Sequence, residues 1–282
     1  MKKTVLITAA LFAVTAASAQ TGEITSNRGE NWLSQDGDWG LTFSANPLLN
    51  YAGNLFNGTT GNDIGGGLTF LSDDMVIRGK KLIDANTAYR GELRIGFGSM
   101  KTSQNVDDVT NSDATVTVED VMKQNNMNIN IGVGLEKRVG STRVVGVYGA
   151  MFNVGFGNSK NTYEYGNPLS STNTAHTNTF GQGTGVTEAK NGSSFGIGLN
   201  AFAGIEWFCA PKISLSGEYT WGLGLSSRGY GSTTTESWDA AANSGNGAST
   251  STSADGGQKT SSFKIDTGVS GSALLGINFY FQ

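Results

Sequence analysis

The sequence holds one cysteine and one histidine among 282 residues. A lone cysteine excludes a disulfide framework, and a lone histidine leaves a histidine-rich metal cage without ligands. Charged residues make up 15% of the chain, the formal net charge is −4, and no basic run occurs. Such a chain lacks the positive footprint that nucleic acid requires, so no nucleic acid partner is expected. Past the first 19 residues no apolar run approaches the roughly 20 residues of a membrane helix. A membrane-embedded form would therefore have to cross as strands.

Glycine is plentiful instead, at 41 residues, and it follows no Gly-X-Y period, which excludes collagen. Hydrophobic residues reach 37%, enough for a folded chain rather than wholesale disorder. Met1-Lys2-Lys3, an apolar stretch from Thr4 to Ala17, and Ala17-Ser18-Ala19 form the three parts of a secretory signal. Residues 1–19 are thus expected to be a cleaved signal peptide, with the mature chain starting at Gln20.

The mature chain repeats one pattern. Met127, Ile129, Ile131, Val133 and Leu135 alternate with Asn126, Asn128, Asn130, Gly132, Gly134 and Glu136. A period of two belongs to a strand and not to a helix. The same alternation marks 142–157, 194–208, 212–226 and 262–282, with weaker versions at 39–46, 73–83 and 88–99. That predicts eight strands. Short turns fall at Asp84-Ala85-Asn86-Thr87, Val139-Gly140-Ser141 and Cys209-Ala210-Pro211, with residue types that hairpins need. Long polar stretches lie at about 47–72, 101–125, 158–193 and 227–261. Short connections alternating with long ones are the pattern of a hairpin series in an outer-membrane barrel.

The two faces differ in chemistry. One is apolar and carries aromatics towards both strand ends: Trp39, Tyr89, Trp207 and Phe279 near the short turns, Phe156, Phe195 and Phe263 near the long stretches. Two aromatic girdles around an apolar band fit strands in lipid. Lys81 and Lys137 fall on this face close to short turns, where a long side chain reaches the interface. The opposite face is small and polar, and its glycines let a narrow barrel close around larger neighbours. It also carries Arg78, Arg90, Glu92, Arg94, Glu136, Arg138, Arg143, Glu206 and Glu218. Charges of both signs in a confined lumen are expected to pair into a plug, since an isolated buried charge is very costly.

The hairpin Met75-Val-Ile-Arg-Gly-Lys-Lys-Leu-Ile-Asp-Ala-Asn-Thr-Ala-Tyr-Arg-Gly-Glu-Leu-Arg-Ile-Gly-Phe-Gly98 and the closing strand Leu274-Leu-Gly-Ile-Asn-Phe-Tyr-Phe281 resemble the small eight-stranded outer-membrane barrels of the OmpA, OmpX and OmpW type, in the Bacteroidota style. The expected fold is all-β: an eight-stranded antiparallel up-and-down transmembrane β-barrel with short periplasmic turns and long extracellular loops. Residues 20–37 would form an N-terminal periplasmic segment and 38–282 the barrel. Its surroundings would be outer-membrane lipid and lipopolysaccharide, and its partners a larger outer-membrane complex or a surface ligand. No cofactor is expected.

Motifs for catalysis are thin. Gly192-Ser193-Ser194-Phe195-Gly196 matches G-x-S-x-G, but the motif needs a strand-to-helix turn and a later histidine. Here it opens a strand, and His176 precedes it in a Ser/Thr/Asn-rich stretch that reads as a solvated loop. Gly181-Gln182-Gly183-Thr184-Gly185 lacks the strand-before, helix-after context of a phosphate cradle. Asp107, Asp108, Asp113, Glu119 and Asp120 make 101–125 acidic, open to either a divalent cation or plain solvation. Cys209 sits in a turn without a thiol partner. Trp238 is either a contact residue for a partner or a cap on the rim. The function expected is non-enzymatic: a plugged barrel displaying loops for envelope structure, adhesion or complex formation. The competing readings are a narrow pore or OmpW-like channel for small solutes and an envelope enzyme.

Overall fold

Alternating apolar and small polar residues can satisfy their backbone groups only across neighbouring strands, so long alternating segments seek partners on both edges. The computed structural model describes residues 24–44, 77–113, 115–266 and 272–282. Its strands are β1 (Trp39–Ser44), β2 (Ile77–Asp84), β3 (Thr87–Asp107), β4 (Thr117–Val139), β5 (Val144–Glu164), β6 (Val186–Ala210), β7 (Ile213–Arg228), β8 (Gly231–Asp239), β9 (Ala248–Gly256), β10 (Thr260–Asp266) and β11 (Ser272–Phe281). The one helical element among the described residues is a three-residue 3-10 turn, Asn243–Gly245.

Each strand from β1 to β7 pairs antiparallel with the next, β7 pairs with β11, and β11 returns to β1 from Trp39↔Phe281 to Ser44↔Gly276. Eight strands therefore form a ring. β10 pairs with the part of β7 beyond β11, from Asp266↔Gly222 to Thr260↔Arg228. β8 carries on along β6 past the end of β7, and β9 pairs with β8.

Of the polar stretches expected to be loops, 101–125 and 227–261 are largely strand, and 158–193 is strand at both ends around a 165–185 loop. β3 and β4 stay in register out to Asp107↔Thr117, β5 and β6 pair as far as Thr162↔Glu188, and residues 231–256 form the β8–β9 hairpin. The described strands thus number eleven, not eight. A sheet segment with solvent on both faces has no apolar side to alternate, so its strands leave no period-two signal in hydrophobicity. The segment expected as one strand at 262–282 is described as β10 and β11, both on β7. The signal peptide, the stretch at about 47–72 and the start of the strand expected at 73–83 lie outside the described residues.

Burial runs opposite to that of a water-soluble domain. Among the described residues 29 large hydrophobics are exposed and 12 hydrophobics are buried, whereas Lys80, Arg90, Glu136, Arg138, Glu206 and Glu218 are buried. All seven girdle aromatics, Trp39, Tyr89, Phe156, Phe195, Trp207, Phe263 and Phe279, point outwards and are exposed. Phe156 and Phe195 face each other across β5 and β6 with ring centroids 5.2 Å apart, and Phe279 meets Phe43 edge-on at 6.1 Å. Lys81 lies 4.7 Å over the Trp39 ring and donates to the Gly37 carbonyl at 2.5 Å, while Lys137 donates to Thr87 Oγ1 at 2.6 Å.

The inward face is not polar throughout, as the pattern had suggested. At the short-turn end Leu82, Ala88, Val145, Val147, Phe208 and Tyr280 form an apolar floor. Leu33, from the segment before β1, completes it, with Ile24 and Trp32 packed against it. That segment is tied down by backbone bonds from Lys212 N to Trp32 O (3.1 Å), Gly37 N to Leu82 O (3.2 Å) and Leu82 N to Asp38 O (2.9 Å). The buried Asp38 carboxylate also takes the Lys212 ammonium.

Two glycines set how tightly the ring is drawn. A Cβ on Gly149 would stand 2.0 Å from the Leu135 carbonyl oxygen and 2.8 Å from Phe202 Cζ, and one on Gly204 2.2 Å from the Gly217 oxygen. A Cβ on Gly79 would meet nothing within 4 Å. Gly149→Val is therefore expected to destabilise the ring by about 3 kcal/mol, the upper end of overpacking costs. Gly79→Val is expected to be close to neutral; the urea unfolding midpoints of the two variants measure the difference.

Candidate functional site

The ring brings side chains from five strands to one level above the floor. β2 and β3 pair Arg78 with Glu92 and Lys80 with Arg90, and β6 and β7 pair Gly204 with Glu218 and Glu206 with Ser216. β4 contributes Glu136 and Arg138 on the same inward phase. Lys80 Nζ lies 3.1 Å from Glu136 and 3.7 Å from Glu206. Arg138 reaches Glu136 at 2.8 Å and Glu206 at 2.9 Å. Arg90 bridges Glu136 at 3.4 Å and Glu218 at 2.8 Å. Arg78 closes the chain of contacts at 3.0 Å from Glu92 and 3.3 Å from Glu218. Four cations thus meet four carboxylates.

Neutral groups add further bonds, although Arg90 Nε and Arg138 Nε are buried without a hydrogen-bond partner among the described residues. Tyr280 Oη donates to Glu206 at 2.6 Å and accepts from Arg138 at 3.1 Å; Ser214 Oγ also donates to Glu206. Asn278 Nδ2 donates to Ser214 at 3.0 Å, and Thr42 Oγ1 donates to Asn278 Oδ1 at 2.6 Å. The Arg90 guanidinium stacks 4.1 Å over Phe202.

Of the nine charged residues singled out in the sequence, Arg78, Arg90, Glu92, Glu136, Arg138, Glu206 and Glu218 meet in this layer. Arg94 does not join its ion pairs but stands half-buried on the wall above, in a cavity described below. Arg143 is exposed in the turn before β5, with its guanidinium 4.7 Å over Trp32. A turn residue sits beyond the last inward rung, so the parity that placed Arg143 inside no longer applies. Sequence reasoning missed Lys80 and Tyr280. Both share the inward phase of their strands, Lys80 with Arg78 and Tyr280 with Asn278, and that parity was the available signal.

Above the layer the interior opens in two steps. A chamber of about 160 Å³ is lined by Arg78, Glu92, Asn153, Asn200, Glu218 and Thr220, with Asn200 Nδ2 donating to Asn153 Oδ1 at 2.9 Å. Farther from the floor a wider cavity of about 340 Å³ is walled by glycines, asparagines, serines, Arg94 and Arg228, with Phe97 and Met127 also in its lining.

The remaining candidates lie in the projecting sheet. Asp120 is fully buried and accepts from Gly166 N (2.9 Å), Thr177 Oγ1 (3.1 Å) and Thr179 Oγ1 (2.5 Å). His176 is buried rather than solvated: it stacks on Tyr165 at 4.2 Å, and its Nε2 lies 3.5 Å from Glu236. Packing of the 165–185 loop against β8 excludes the water that a polar composition had suggested. Gly192 to Gly196 lies inside β6, on a strand and not a strand-to-helix turn. Trp238 is half-buried against its own hairpin turn, where a Cβ on Gly247 would come within 2.4 Å of the ring. Cys209 is an exposed free thiol.

Asp108 and Asp113 are engaged by their own loop. Thr110 Oγ1 and N donate to Asp108 Oδ1 at 2.6 and 2.8 Å, and Thr115 N and Oγ1 donate to Asp113 Oδ1 at 2.9 and 2.7 Å. Among the described residues no group of three or more His, Cys, Asp or Glu is placed to hold a metal. No protein-family profile, curated protein or solved structure matches the chain.

Two outcomes follow from these contacts. Glu136→Gln leaves Lys80, Arg90 and Arg138 short of a buried counter-charge and should cost about 3–5 kcal/mol, read from the unfolding midpoint. Replacing Glu136 and Lys80 together with Leu and Met should recover part of that loss. In the tip, the Thr110 hydroxyl and amide hold Asp108 below the ordinary carboxylate range, and the Thr115 amide and hydroxyl do the same for Asp113. A depressed folded-state value means that the turn's stabilisation is full above the ordinary range and is lost as pH falls through the lowered one. NMR titration of Thr110→Val should show Asp108 returning towards the ordinary value.

Proposed function

We propose that the chain is an integral outer-membrane β-barrel, eight strands running up and down, reached through a cleaved signal peptide. Its lumen is plugged by the paired charge layer and the floor. Its work is non-catalytic: the wall holds projecting hairpins at the cell surface for envelope structure, adhesion or association with a larger outer-membrane complex. The resemblance to OmpA-, OmpX- and OmpW-type barrels belongs to this proposal.

The observation that carries it is the height of the apolar belt. Outward apolar rows run from Tyr89 to Phe97 on β3, Met127 to Leu135 on β4, Val144 to Phe156 on β5, Phe195 to Trp207 on β6 and Leu215 to Leu225 on β7. These rows span 9 to 13 residues, although the same strands are 16 to 25 residues long. A tilted strand crosses the hydrocarbon core in about 9–11 residues. The rows stay close to that crossing length while the strands run on well past it, as expected when the belt is set by a medium of fixed thickness. In water, a belt circling the whole ring would far exceed the few hundred Å² of contiguous apolar surface usual for a soluble monomer.

Neutral pairing favours a plug over a pore. A solute passing from the 160 Å³ chamber to the short-turn end would have to part buried ion pairs and then the apolar floor. Lipid and lipopolysaccharide are the surroundings this reading gives the belt and its upper rim.

The five tryptophans make the test. In vesicles of lipid brominated along the acyl chain, Trp221, Trp207 and Trp39 should be quenched, and Trp32 and Trp238 should not, each read in a single-tryptophan variant. A processed chain that stays monomeric in water without detergent would overturn the proposal. Planar bilayers should show no steady current; an open current that survives trimming of the hairpins would favour the channel.

A further inference from the structure

Two adjacent rungs of inward residues cross the ring above the 160 Å³ chamber. One runs Gly98, Asn126, Ser159, Asn191, and the other Gly96, Asn128, Gly157, Ser194, Arg228, each residue paired with the next across β3 to β7. They line the 340 Å³ cavity, a size within the range of small-molecule sites. Nearer the floor lie the smaller chamber and then the charge layer with its apolar base, so buried ion pairs stand between the cavity and the short-turn end.

The glycines in these rungs give their volume to polar neighbours. A Cβ on Gly98 would stand 2.1 Å from Asn126 Oδ1, and one on Gly157 2.9 Å from Ser194 Oγ. Facing the cavity are amides and hydroxyls, with the Arg228 guanidinium on the lower of the two rungs and Arg94 on the wall beneath it, and Phe97 and Met127 also line it. Some are already oriented: Asn130 Nδ2 donates to Asn128 Oδ1 at 2.8 Å, Asn191 Nδ2 to Ser159 Oγ at 2.6 Å, and Ser194 Oγ to the Gly157 carbonyl at 3.2 Å. These bonds engage Asn128 Oδ1 and Asn191 Nδ2, and the other amide atom of each makes no bond to another described residue. The side chains of Asn126 and Arg228 bond to no other described residue. Among the described residues no carboxylate lines the cavity.

We propose that this cup binds a small sugar bearing one carboxylate or phosphate group. A primary amide presents two donors and an acceptor, which suits hydroxyls that must both give and receive. The guanidinium fork of Arg228 suits the planar or tetrahedral anion. The site stands whether or not the belt meets lipid, because its walls are the inner face of the ring.

The test titrates the full chain, purified in detergent, with galacturonate, glucose 1-phosphate and neutral glucose, read by ligand-observed NMR. Both anionic sugars should bind saturably and about tenfold or more tightly than glucose, the size of effect given by a charge-assisted hydrogen bond. Arg228→Ala, an exposed position, should abolish that preference with an unchanged melting temperature, and Asn128→Leu should weaken all three sugars. Arg143→Ala, outside the cup, should change nothing. Repeating the titration in vesicles with and without lipopolysaccharide separates the sources: competition assigns the natural occupant to a lipid-borne sugar, and its absence to a free one. Absence of saturable binding, equal binding of glucose, or indifference to both Arg228→Ala and Asn128→Leu overturns the proposal.

Discussion

A carboxylate and a guanidinium removed from water are each very costly, and they are tolerated together only when opposite charges and donors surround both. The interior of this ring meets that requirement with Glu136 and Glu206 set among Lys80, Arg90 and Arg138, and Glu218 and Glu92 set among Arg90 and Arg78. Satisfaction of the layer fixes the register of strands far apart in sequence. Arg78 and Arg90 near the start must face Glu218, and Tyr280 at the end must reach Glu206 and Arg138. A one-residue slip anywhere would turn a charge outwards and strand its partner.

The other features of the wall follow from that layer. Long charged side chains need room, and the room comes from glycine: Gly149 faces Phe202 beneath the Arg90 stack, and Gly204 lets Glu218 turn inwards. With the inner volume taken by charge, chamber and floor, the apolar side chains of alternate positions have only the outside left. The inverted burial is thus one consequence of period-two geometry in a closed ring whose inner face is polar.

Much of this was legible because the pattern is arithmetic. Ile129, Ile131 and Val133 announce an outward row, and Glu136 and Arg138 share the opposite parity, so seven of the nine charges could be placed without coordinates. Parity fails where the strand stops, which is why Arg143 went astray, and where both faces are polar, which is why the pairing of Ser99 with Asn125 out to Asp107 with Thr117 was invisible. The floor was hidden for a different reason. Val145, Val147 and Phe208 sit among apolar neighbours on both parities, so their segments carry no contrast from which an inward apolar patch can be read. Lys80 and Tyr280 carried the right parity, yet a lysine beside Lys81 and a tyrosine between two phenylalanines look like interface residues.

The projecting part of the sheet completes the physical picture. Polar strands without an apolar face gain little from burial, and a two-stranded ribbon standing alone is marginal in water. Here the ribbons are braced sideways. β4, β5 and β6 remain mutually paired beyond the belt, Lys123 reaches Glu164 at 2.5 Å, and Glu188 takes both Lys160 and Lys190. Buried Asp120 gathers the 166–179 loop onto β4, and His176 locks the same loop to Tyr165 and Glu236. Among the described residues, what projects from the ring is therefore a braced sheet with its 165–185 loop packed onto it. Order of that kind lowers the entropic cost of meeting a partner. The same strands β3 to β7 line the amide-walled cavity above and the charge layer below, so the described wall is continuous from one to the other.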